Sequence, residues 1–129
     1  MQSRPYYGLF DHMCRSCGWI LGQDKGEMVL GVPQEDGSQV SVVVNEFQDS
    51  TGQLALRFWS PVAPVDKVPA DQALQVSFQL PHCCLGDREG QIVTTATRIV
   101  NFTSQADLTN LIQTLSYYAN FYGRHFASN

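Results

Sequence analysis

Two short stretches hold soft metal ligands and nucleophiles at close spacing, Cys14-Arg15-Ser16-Cys17 and His82-Cys83-Cys84. Together they supply five thiol or imidazole groups, and a tetrahedral zinc site needs four. The Cys-x-x-Cys spacing also suits thiol–disulfide exchange, which calls for a strand followed by a helix whose N-terminus lowers the thiol pKa. The elements that must carry these residues argue against both chemistries. Tyr6, Phe10, Met13, Cys14 and Cys17 share one stripe of a 3.6-residue helix. Pro5 suits its first position and Gly18 its stop. A helix over 4–17 puts both cysteines on its apolar side, where free cysteine behaves as a small buried hydrophobe. In an extended segment, Cys83 and Cys84 point to opposite faces and do not converge on one ion. No metal and no cofactor are therefore expected. A zinc or thiol-redox protein built on Cys14, Cys17, His82 and Cys83 or Cys84 stands as the alternative.

Acid–base catalysis finds no better footing. His12, His82 and His125 are the three histidines. Asp11 adjoins His12, but neighbours on a helix point in different directions. His125, near a helix C-terminus, suits the helix dipole. The chain contains no GxSxG, HExxH, GxGxxG or P-loop pattern. A non-enzyme without catalytic residues is the expectation.

The remaining chain reads as one domain spanning 1–129. A 43% hydrophobic share with five Tyr, seven Phe and two Trp excludes a disordered linker. A net charge of −4 has the wrong sign for binding driven by phosphate neutralisation, so nucleic acid is not an expected partner. No run approaches eighteen apolar residues, and residues 1–5 carry no signal-peptide pattern, so a cytoplasmic protein without membrane association is expected. Charged residues make up 16% of the chain while glutamine occurs twelve times. Such a weakly charged surface is poorly protected against association.

Strand signals follow the first helix. Glu27–Val32, the turn Glu35-Asp36-Gly37 and the alternating Val40, Val42 and Val44 form a hairpin. Asp49 to Gly52 turns into a third strand with Leu54, Leu56 and Phe58. Three prolines between Pro61 and Pro69 predict a crossover loop. Between 70 and 80, helical and alternating patterns overlap; a short helix near 68–75 and then a strand reaching Leu85 are expected. Gly86 to Gly90 turns into a strand over 92–102, expected to be the longest. Ser104 and Asp107 approximate a capping box ahead of the stripe Leu108, Leu111, Ile112, Leu115, Tyr118, Ala119, Tyr122 and Phe126. A final helix of about twenty residues is expected to lie across the sheet.

The predicted fold is α+β: an antiparallel sheet of about five strands with helices packed on one face, in the order αβββαββα. That order, the acidic charge, the three turns (Asp36-Gly37, Asp49 to Gly52, Asp87 to Gly90), the hairpin from Leu85 to Val93 and the closing helix together resemble the class I type III secretion chaperone fold, shared by YbjN-type bacterial proteins. The resemblance implies a non-catalytic, homodimeric module that holds an extended client segment against apolar patches and dimerises through its second helix. Here that helix is short and bracketed by Pro69 and Pro81.

Alternation also fixes what faces outward. If Val40, Val42, Val44, Leu54, Leu56 and Phe58 point inward, then Val43, Arg57 and Trp59 point outward, joined by Val93, Thr95, Thr97 and Ile99. Trp, Val and Ile around one Arg have the composition of an interface core. Val43, Arg57, Trp59, Val93, Thr95 and Thr97 are thus the candidate partner-binding residues of an interaction module that recognises a polypeptide through this sheet face or through an exposed strand edge. The competing readings are that Trp59 folds against the 61–69 loop, and that a small molecule occupies a cavity near Tyr118 and Tyr122. Trp19 and Tyr117 fit either the patch or the core.

Overall fold

A computed structural model describes residues 6–99 and 103–128. The chain runs through α1 (Tyr7–Cys17), β1 (Ile20–Asp24), β2 (Glu27–Pro33), β3 (Gln39–Gln48), β4 (Leu54–Pro64), a 3-10 turn (Val65–Lys67), α2 (Ala70–Gln79), β5 (Cys84–Arg88), β6 (Gln91–Ile99) and α3 (Gln105–Ala127). The six strands form one sheet in the order β1-β2-β3-β4-β6-β5, and every neighbouring pair is antiparallel. The α+β class is as read from the sequence, with one strand more.

That extra strand is β1. Only Leu21 among its five residues is even half-buried, so it carries no apolar alternation to read. It closes onto β2 through Lys25 and Gly26, both at positive φ (51° and 81°), the conformation of a two-residue type I′ hairpin.

The proline-rich stretch also differs. β4 continues through Pro61 to Pro64 and, at 11 residues, is the longest strand among the described residues, of which β6 has 9. β3 and β4 pair only as far as Val43 and Trp59; beyond that point β4 keeps β6 alone as a neighbour. One open side and a bulge between Pro61 and Ala63 relieve the missing proline N–H groups. The Ser60 hydroxyl still bridges the parting strands by donating to the Ser41 carbonyl at 2.7 Å.

The ambiguous stretch at 70–80 is helical through Gln79, longer than the 68–75 expected, and no strand forms before Cys84. Pro69 caps it and Asp71 sits in its first turn. Leu74, Val76 and Phe78 mimic strand alternation, but Ala73 and Val76 turn inward while Leu74 and Phe78 face solvent. α2 covers the outer edge of β5, where the Leu85 N–H donates to the Ser77 hydroxyl at 3.0 Å.

α1 begins at Tyr7, and Gly18 ends it in the left-handed conformation with φ 76°. Pro5 lies outside the described residues, as do positions 100–102 of the strand expected over 92–102. Ser104 and Asp107 complete a reciprocal capping box at the start of the 23-residue α3.

The main core lies between one sheet face and the helices. It joins Phe10, Met13, Cys14 and Trp19 to Met28, Leu30, Val42, Val44, Leu56, Phe58 and Ala96, closed by Leu108, Leu111, Ile112 and Leu115 of α3. Thr94 is fully buried there because its hydroxyl donates to the Leu115 carbonyl at 3.1 Å. A smaller cluster under Phe126 gathers Ala63, Val68 and Ile92 with Ala73, Val76 and Leu85. Where α3 crosses β4 the approach is close: a Cβ at Gly123 would stand 2.9 Å from the Val62 carbonyl oxygen.

Candidate interaction site

The opposite sheet face is a different environment. The register sets Val43 beside Trp59, Trp59 beside Thr95 and Thr95 beside Cys84, with Arg57 beside Thr97 and Pro61 beside Val93. All six candidate residues therefore share the face that belongs to neither core cluster. Arg57 and Thr97 are exposed, Trp59 and Thr95 half-buried. Val43 and Val93 are a correction to the expected patch: at 7% and 2% exposure they are covered. They support the surface from beneath.

Long side chains lie along the same face. The Arg88 guanidinium stacks over the Trp59 ring at 4.7 Å and reaches Glu27 at 3.7 Å, while Arg57 stacks over Phe47 at 4.4 Å. Arg88 sits on β5 and Glu27 on β2, four strand spacings apart. A flat sheet would separate them by about 19 Å, beyond the combined reach of the two side chains. The sheet therefore bends toward this face, and the expected apolar plate is a shallow trough with cationic tops over aromatic rings. The Trp59 ring lies under Arg88. The Thr95 hydroxyl donates to the Phe58 carbonyl at 2.9 Å. The Trp59 Nε1 group is buried without an acceptor among the described residues.

The sequence reading missed Arg88, Glu27 and Phe47. Phe47 and Glu27 continue the outward alternation of Val43 and Asn45 and of Val29, a signal that was available. Arg88 carried none, because its contact depends on the bend of the sheet.

On the helices, the large exposed apolar groups include Leu74 (73%) and Phe78 (92%) of α2, Tyr7 of α1 and the stacked pair Tyr117 and Phe121 of α3. Trp19 belongs to the core and Tyr117 to the surface. A cleft of about 550 Å³ lies between the β2–β3 turn and α3, lined in part by Trp19, Pro33, Gln34, Gln113 and Tyr117. Tyr118 and Tyr122, the pair named in the competing small-molecule reading, stack on each other along α3. One wall of the cleft is tied by Asp36, which accepts from Asn120 at 3.1 Å and pairs with Arg124 at 3.3 Å. Hydrogen bonds from the Ser38 hydroxyl and backbone, then from Asn120, hold the Asp36 carboxyl down at about 2, with Arg124 adding to the effect.

Of the four cysteines, Cys84 lies beside Thr95 on the uncovered sheet face. Cys14 is buried and Cys17 exposed, so the apolar stripe of α1 stops at Cys14, just before Gly18 turns the chain. Burial, reinforced by the neighbouring Cys17, pushes the Cys14 thiol up to about 11; burial, reinforced by Cys84, does the same to Cys83. Both remain protonated at neutral pH, the form that is neither nucleophile nor metal ligand. Among the described residues no three His, Cys, Asp or Glu side chains gather closely enough to hold a metal. Nor is any described helix long and apolar enough to cross a membrane.

Compared with models of known protein families, the chain matches none, and no curated protein matches it.

Proposed function

We propose that the chain is a non-catalytic protein-interaction module of the type III secretion chaperone-like kind, cytoplasmic and homodimeric, holding a polypeptide partner on its uncovered sheet face. The observation that carries this reading is α2, which has no fully buried residue and directs Leu74 and Phe78 into solvent at 73% and 92% exposure. The two lie one turn apart on a single side of the helix. Burying side chains of this size is worth about 1.5–3 kcal/mol each. A two-fold contact would set Leu74 of one copy against Phe78 of the other, twice over. On the sheet side, Arg57, Trp59, Thr95 and Thr97 are the contact residues, and Val43 and Val93 support them.

Light scattering on the purified chain tests the dimer. Wild type is expected at twice the 14.4 kDa chain mass, and Phe78→Asp at the single-chain mass with unchanged circular dichroism. A monomeric wild type removes the homodimer from the reading. A dimer indifferent to Phe78→Asp moves the contact away from α2.

A further inference from the structure

We infer that the uncovered face is built to receive carboxylates, so that its polypeptide partner presents an extended acidic segment. This rests on the reading of that face as a polypeptide-binding surface.

The chain as a whole is acidic, with twelve Asp and Glu against eight Lys and Arg. Around Trp59 the balance reverses. Arg57 and Arg88 flank the ring, the neighbouring Thr95 and Thr97 carry no charge, and among the described residues Glu27 is the carboxylate that pairs with Arg88; Asp24 lies out on the edge strand β1. Arg57 has no carboxylate partner among the described residues. Stacked on Phe47, it keeps its N–H groups at the guanidinium edge free to donate. Arg88 has Glu27, but the pair at 3.7 Å is longer than a charge-assisted hydrogen bond of about 2.8 Å. Glu27 thus shows that a carboxylate fits beside Arg88, and holds the place loosely.

Trp59 supplies the third donor. Its Nε1 is buried and lacks an acceptor among the described residues, on a ring that Arg88 overlies, a state that costs free energy until one arrives. A carboxylate has several lone pairs and can accept from Nε1 and a guanidinium together. Positions 57 and 59 are two apart on β4, a repeat of about 7 Å. Alternate residues of an extended peptide have the same repeat, so a segment with Glu or Asp at every second position matches the spacing of the donors.

The test is anisotropy titration of a fluorescein-labelled, end-capped heptapeptide with glutamate at alternate positions, against the same peptide with glutamine. The glutamate peptide is expected to bind the full-length protein about tenfold more tightly at low salt, with the preference shrinking as salt rises. Arg88→Gln and Arg57→Gln should each cut that preference by at least about threefold, with circular dichroism unchanged. Equal binding of both peptides, lost in Trp59→Asp, sinks the acidic preference and leaves the polypeptide-binding face standing. Binding of neither peptide sinks both. A preference that survives the double arginine variant also overturns the proposal.

Discussion

The two faces of this sheet bury apolar residues by different means. On one face, Val44, Leu56 and Phe58 are at most 1% exposed under α1 and α3, an element-sized cover with its own backbone hydrogen bonds. On the other, Val43 and Val93 reach 7% and 2% exposure while belonging to neither core cluster, on the face where Trp59 stands beside Val43 with Arg88 stacked on its ring. A helix is removed only by unfolding a large part of the core. An arginine swings away by rotating a few bonds, on a timescale of picoseconds to nanoseconds when exposed. Equal burial therefore does not mean equal permanence, and the side-chain cover is the one a partner can displace.

The sharpest way to break the comparison is truncation on each face. Phe58→Ala is expected to cost about 3–5 kcal/mol, because α1 and α3 cannot collapse into the void. Trp59→Ala, next in sequence but under a movable cover, should cost about 1–2 kcal/mol. Urea denaturation of the two variants reads the difference, and equal losses would dissolve the distinction between the faces.

A smaller effect is expected where α3 meets β4. Gly123→Ala places a methyl 2.9 Å from the Val62 carbonyl oxygen, against backbone on both sides, and should lower stability by about 1–3 kcal/mol. A gain in melting temperature, the usual result of Gly→Ala on an exposed helix, would show that α3 rides more loosely than described.

The smallest effect comes from the tie between the β2–β3 turn and α3. The Asp36 carboxyl is held down to about 2 from an ordinary 3.8. A depressed folded-state pKa means the contribution is present in full above about 4 and fades as pH falls toward 2. Melting temperatures of wild type and Asp36→Asn should therefore converge between pH 5 and 2. A gap independent of pH would mean that the charge of Asp36 plays no part in holding the helix cover.

What could be read from the sequence follows the same division. The helix-covered face obeys short-range rules: the Ser104–Asp107 capping box, the stop at Gly18 and the alternation of Val42, Val44, Leu56 and Phe58 each have a local signal. β1 was illegible because an edge strand with almost nothing buried needs no alternation. The extension of β4 through Pro61 depends on β3 having already diverged, which is a property of the sheet and not of the segment. For the candidate site, alternation placed Arg57, Trp59, Thr95 and Thr97 on one face, but not the arching of Arg88 across it. Reach between distant strands depends on curvature, which accumulates over the whole sheet.

α3 has a consequence for the order in which the molecule can be made. Its Leu108, Leu111, Ile112 and Leu115 close the main core, and Phe126 closes the smaller one. A ribosome that has delivered the strands but not these residues holds a sheet whose apolar face has α1 alone of its two covering helices. Synthesis at about 5–20 residues per second leaves that face open for seconds, long enough for aggregation or capture by a nascent-chain chaperone. Translation that stops short of residue 104 leaves the same sheet permanently without α3, a substrate for proteolysis.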